Sequence, residues 1–171
     1  MKIVCKVVFY VWICSTVSFA LGNRQAAGTL VYRGASDASA AVVIDKDMFI
    51  VADDENNTLR VYKTRQGGLP LFSFNMAEFL SIEPEYPEAD IEGAAIIGQR
   101  IYWITSHGRN KDGKMRPNRY RFFATTINVK GQKITIQPVG TPCRTLIHNL
   151  VKTATAPVSY THLTLPTTPY V

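Results

Sequence analysis

Two stretches of this chain repeat one pattern at a spacing of 53 residues, and that repeat narrows the possible folds more than any other feature. Residues 36–56, SDASAAVVIDKDMFIVADDEN, lie over residues 89–109, ADIEGAAIIGQRIYWITSHGR, without a gap. Asp37 meets Asp90, Ala41 meets Ala94, Val43-Ile44 meets Ile96-Ile97, and Phe49-Ile50-Val51 meets Tyr102-Trp103-Ile104. Few positions are identical. What recurs is an order of events: an acid, small residues, an apolar run, a turn, a second apolar run and a polar cluster. Each stretch then continues with two more runs, TLRVYKT (58–64) and PLFSF (70–74) in the first, YRFFATTINV (120–129) and KITIQPV (133–139) in the second.

β-branched and aromatic residues between Gly-containing turns read as strands. The expected strands are 40–45, 48–53, 58–64, 70–74, 93–98, 100–106, 120–129 and 133–138. Four antiparallel strands per unit, repeated at about 50 residues, describe blades of a β-propeller. The fold class is therefore all-β. A plain antiparallel sandwich also suits short strands, and the repeat favours the propeller. A propeller has about four to eight blades; with about two visible, the chain is expected to be a truncated, N-terminal part of a longer one.

The two ends read differently from the middle. Residues 1–20, MKIVCKVVFYVWICSTVSFA, carry Lys2 and Lys6, an apolar run from Val7 to Val17, and Ser18-Phe19-Ala20. This is the layout of a secretory signal cut after Ala20, and the run falls short of the ~20 apolar residues a membrane anchor needs. Residues 157–171, PVSYTHLTLPTTPYV, hold no charge and no apolar period. They resemble translated sequencing-adapter read-through, a non-native tail, with a Thr/Pro-rich disordered tail as the alternative. The partial propeller domain is then 21–156, in a secreted or periplasmic protein that has no membrane contact after signal cleavage.

Within 21–156 only Cys143 remains, so no internal disulfide can form. Of nineteen Lys/Arg, Lys2 and Lys6 lie in the leader, which leaves seventeen against thirteen Asp/Glu. That mild excess gives little support for nucleic-acid binding, which an exported protein rarely performs.

Three segments taken together, GASDASAAVVIDKDMFIVADDENNTLRVY, DIEGAAIIGQRIYWITSHGRN and RPNRYRFF, resemble the bacterial family known as domain of unknown function (DUF) 3616. The resemblance covers about residues 29–137. It implies a propeller-like fold and no settled activity. DIEGAAI also resembles, more distantly, the Asp-x-Glu-Gly step of esterase-like phytase propellers.

In a propeller blade, the connection into the first strand and the connection between the second and third open on one face. Asp37 and Asp90, the run Asp53-Asp54-Glu55-Asn56-Asn57, and the loop from Ser106 to Arg119 all fall there. Arg109 to Arg121 holds six Lys/Arg and one Asp, whereas Glu78 to Glu92 holds six acids and no base. Mutual Arg–carboxylate pairing, an anion site and a solvated loop are all open for the basic segment. The leading functional expectation is a binding module, in which Arg109, Lys111, Arg116 and Arg119 hold a small anionic ligand or a protein partner. The alternative is a metal-assisted phosphoesterase. There Asp53, Asp54, Asp90 and Glu92 hold a hard cation such as Ca2+, and His107 protonates the leaving oxygen. A structural propeller with neither activity is the third reading. No Gly-x-Ser-x-Gly, His-Glu-x-x-His or phosphate-binding Gly loop occurs. The short run around His148 is expected to be a surface helix.

Overall fold

The expected strands form, and they form two separate sheets. The computed structural model describes residues 29–131 and 133–153, so the leader at 1–20 and the tail at 157–171 lie outside the described residues. The first sheet has the order β1 (Ala38–Val43), β2 (Met48–Asp53), β3 (Thr58–Lys63), β4 (Phe72–Asn75). The second repeats it with β5 (Ile91–Ile97), β6 (Arg100–Thr105), β7 (Phe122–Lys130), β8 (Lys133–Cys143). Every pairing is antiparallel. Among the described residues the body is all-β, with two short α-helices, α1 (Ala77–Leu80) in the acidic linker and α2 (Leu146–Thr153), on whose exposed side His148 sits, and one 3-10 turn at Pro117–Arg119. No helix among the described residues is long and apolar enough to cross a membrane.

The repeat is real but not gapless. Val43 pairs with Phe49 across residues 44–48, whereas Ile97 pairs with Arg100 across the tight turn 98–99. At an offset of 53, Ala38 falls on Ile91; its partner Asp53, however, falls on Thr105, the partner of Ile91, at an offset of 52. Two backbone bonds say the same, Asp54 N–H to Asp37 O and Ser106 N–H to Asp90 O. The longer first hairpin absorbs one residue. The counterpart of Asp54 is therefore Ser106, where the gapless alignment puts His107.

A slip of one residue exchanges the two faces of a strand, and the packing depends on it. In the first sheet Ile50, Ala52, Leu59 and Val61 share one face. They join a single buried cluster with Ile101, Trp103 and Phe123 of the second sheet, closed by Met76, Leu80 and Ala89 of the linker. Trp103 occupies the place of Val51, so the two sheets meet through non-equivalent faces, with β1 running beside β5. That stacking is consistent with consecutive propeller blades; a two-fold sandwich would bring equivalent faces together. Trp103 is fully buried, and its indole N–H donates to Thr125 Oγ1 at 3.0 Å.

The other face of the first sheet is covered by the strand-like segment before β1. Tyr32 packs edge-on against Phe49 and Tyr62, whose rings stack on each other. Tyr62 donates to the Arg33 carbonyl at 3.0 Å. Both faces of β2 and β3 are thus closed, which explains the unbroken burial from Ile50 to Asp53.

Candidate functional site

Asp53 ends β2 and Asp54 is the first residue beyond it, so the alternation of the extended chain sends their side chains opposite ways. Asp53 is completely buried. Its Oδ2 accepts from the Ser36 N–H at 2.8 Å, Asn56 Nδ2 at 2.9 Å and Arg60 Nη1 at 2.8 Å. Of the four carboxylates expected to hold a cation, this one is engaged in tying the second strand to the third.

Asp54 turns to the other side and meets β5. One carboxylate oxygen each from Asp54, Asp90 and Glu92 lie within 4.8 Å of one another. The Asp-x-Glu-Gly step supplies the geometry. Asp90 takes a left-handed backbone with φ 62°, a strained conformation for a residue with a side chain. It is held there from both sides. The preceding Ala89 N–H donates to Asn57 Oδ1 at 2.7 Å, and the Asp90 carbonyl accepts from Ser106 at 2.8 Å. Glu92 is the unpaired residue of a β-bulge between Ile91 and Gly93. Gly93 follows because a Cβ there would stand 3.0 Å from the Ile104 side chain.

The electrostatics follow from crowding. Burial, then the neighbouring Asp37, Asp90, Glu92 and Asp53, push the Asp54 carboxyl from its ordinary 3.8 up to about 6. Glu92 is raised as well, first by burial and then by Asp90, with Arg119 pulling it back. Asp54 Oδ1 is buried and has no hydrogen-bond partner among the described residues. An all-oxygen donor set with one oxygen unsatisfied suits a hard cation such as Ca2+ or Mg2+. It suits neither zinc nor copper, which favour nitrogen and sulfur ligands.

The basic loop divides into two parts. Its outer part closes on itself: Arg109 bridges to Met115 and donates to the Gly113 carbonyl at 2.9 Å, while Asn110 Oδ1 accepts from Lys114 N at 2.7 Å. Lys111 is exposed there. The inner part reaches the acidic linker. The Arg116 guanidinium lies 4.2 Å over the Tyr86 ring. Arg119 pairs with Asp90 at 3.2 Å and with Glu88 at 3.5 Å. Between linker and loop lies a cleft of about 200 Å3 lined by Glu85, Tyr86, Pro87, Glu88, Arg116 and Arg119. The structure therefore brings Arg116 and Arg119 together and leaves Arg109 and Lys111 apart from them.

His107 sits at the base of this loop with φ 51°. Its Nδ1 is 2.8 Å from the Thr105 carbonyl. A carbonyl only accepts, so in the neutral ring Nδ1 carries the proton and Nε2 carries the lone pair. Nε2 is buried and has no hydrogen-bond partner among the described residues. The ring packs edge-on against Tyr120, and it is not one of the groups clustered with Asp54.

Three residues that position the site were not among the site residues expected from the sequence. Asn57, left-handed at φ 55°, donates from Nδ2 to the Pro87 carbonyl while its Oδ1 holds Ala89. Asn118, fully buried, bonds both Glu83 backbone groups and the Tyr86 carbonyl. Arg121 is 1% exposed and donates to the carbonyls of Leu80, Pro117 and Tyr120 and, at 3.5 Å, to Asn118 Oδ1; among the described residues it makes no ion pair. Burial, and Arg144 nearby, lower its hold on the proton. A polar residue whose partners are nearly all backbone leaves little complementary pattern to find in the sequence.

A family model described as "Protein of unknown function (DUF3616)" matches residues 37–127, just over half of the chain. No curated protein and no solved structure matches it.

Proposed function

The chain belongs to the DUF3616 family of unknown function, and we propose that it is a binding module whose ligand face is the acid-rich end of its two sheets. Its first ligand there is a divalent cation of the Ca2+ class, taken by Asp54, Asp90 and Glu92. The observation that carries this reading is the convergence of three carboxylate oxygens within 4.8 Å, together with a buried Asp54 oxygen that has no hydrogen-bond partner among the described residues. Like charges held that close raise the energy of the empty site, and a cation relieves it. An anion held directly by the basic loop, with no cation bound, has less support, because Arg119 is engaged by two carboxylates. We also propose that the protein is exported, as the leader at 1–20 implies. Calcium sites of extracellular modules work at about 10⁻⁴–10⁻³ M, the range expected for a site with three carboxylates.

The test is a calcium titration by calorimetry and thermal unfolding, on the wild type and on Asp90→Asn and Glu92→Gln. At a hundredfold excess over Kd the wild type gains about 2.7 kcal/mol, and both variants lose most of that gain. A folded wild type with no heat of binding and no calcium-dependent stabilisation would sink the reading.

A metal-assisted phosphoesterase, the phytase-like alternative, is the second reading. What favours it is His107, whose lone-pair nitrogen has no partner among the described residues. Calcium-dependent hydrolysis of p-nitrophenyl phosphate, abolished in His107→Gln, is its signature; calcium binding without turnover leaves the binding module.

A further inference from the structure

Arg119 touches two places at once. Nη1 lies on Asp90, one of the three clustered carboxylates, and Nη2 lies on Glu88, at the wall of the cleft. Resting on the cation reading above, we propose that Arg119 is a shared counter-ion that couples the cation site to an oxyanion site in the cleft. The ligand class is a small sulfate-, phosphate- or carboxylate-type group, gripped by Arg116 and Arg119.

The argument is one of competition for Asp90. In the structure Arg119 is the cation that partly neutralises the acidic cluster. A divalent ion bound to Asp90 takes over that task and repels the guanidinium. The donors released in this way belong to a side chain that already lines the cleft. Arg116 is prepared to act with it. Its guanidinium lies 4.2 Å over the Tyr86 ring, a contact with the ring face rather than with an acid, and its planar fork is suited to grip an oxyanion with two N–H groups. Among the described residues its one side-chain hydrogen bond is a long one, 3.4 Å to the Met115 carbonyl. Among the described residues neither acid of the cleft pairs with Arg116. Glu85 is held by the Tyr86 hydroxyl at 2.6 Å, and the Glu88 side chain is about half exposed and can turn to solvent.

Coupling of this kind is reciprocal. An oxyanion that draws Arg119 into the cleft must also free Asp90 and tighten cation binding. The experiment is a calorimetric Ca2+ titration of the whole chain with and without sodium sulfate, at ionic strength matched by sodium chloride. In the wild type sulfate should lower the Ca2+ Kd by at least about fivefold, the lower end of usual coupling. Arg119→Gln should bind Ca2+ more tightly than the wild type without sulfate and should show no sulfate effect. Arg116→Gln, which removes the second half of the grip, should also lose the sulfate effect and keeps the test open if Arg119→Gln misfolds. Ca2+ binding that sulfate leaves unchanged in the wild type overturns the coupling alone. A sulfate effect that survives in Arg119→Gln overturns it as well. Absence of any Ca2+ binding overturns the coupling together with the cation reading.

Discussion

Asp54→Asn should stabilise this protein at neutral pH when no divalent cation is present. The carboxyl is raised from 3.8 to about 6 by burial and by four neighbouring acids. The folded state therefore binds the Asp54 proton more tightly than the unfolded chain does, and stability falls as pH rises through this interval. The penalty is absent near pH 4 and complete above about pH 7. Converted in full, a rise of about two pH units is worth about 3 kcal/mol. Asp54 is only partly buried, so solvent screening reduces this to about 1 kcal/mol. Asparagine keeps the shape and removes the charge. In urea unfolding with chelator at pH 7.5, the variant should gain about 1 kcal/mol, or roughly 3–5 °C in Tm. The gain should shrink toward zero as pH falls to 4. In excess calcium the order should reverse, because only the wild type binds the ion. A variant that is less stable than the wild type at pH 7.5, or whose advantage persists unchanged at pH 4, refutes the electrostatic account of the cluster.

Other parts of the structure lead to equally specific expectations. Trp103→Phe leaves a void and an unpaired Thr125 hydroxyl in the shared core, and should cost about 1–3 kcal/mol in urea unfolding. Asp53→Ala strands Arg60 and the Ser36 N–H, for a loss of about 3–5 kcal/mol; the milder Asp53→Asn should keep calcium binding, because Asp53 faces away from the ion ligands. Asn118→Ala releases both Glu83 and Tyr86, should cost about 2 kcal/mol, and should make residues 83–88 the first site of limited proteolysis.

The strands were legible because each is short, β-branched or aromatic, and bounded by turn residues; all eight lie close to where those signals put them. The repeat was legible as a pattern, but not its one-residue slip, since a three-residue turn at 45–47 and a two-residue turn at 98–99 look alike when only apolar runs are compared. The helix α1 escaped notice because four residues are too few for a helical period to appear. At the site, the nearness of Asp54 to Asp90 followed from blade topology. The turning away of Asp53 was also implicit, because adjacent residues of a strand face opposite sides. The fate of the arginines was not implicit. Nothing in RPNRYRFF distinguishes Arg119, on two carboxylates, from Arg121, buried among carbonyls. Those roles depend on where the linker lies, and the linker is placed by Asn57 and Asn118 through backbone bonds that carry no side-chain code.

The clamping of that linker has a kinetic consequence. Asn57 reaches its linker partners across 30 and 32 residues, Asn118 across 35 and Arg121 across 41. The hairpins of each sheet close over much shorter loops. Contacts so distant along the chain bear the larger loop-closure entropy and tend to form late. The sheets should accordingly fold first as two independent meanders, and the acidic linker should lock between them last. In pulsed hydrogen exchange, the amides of Glu83 and Ala89, each bonded to one of the two asparagines, would gain protection after those of β2 and β6. The ligand face is then completed only when that final closure is made, so the empty site exists only in molecules that have finished folding.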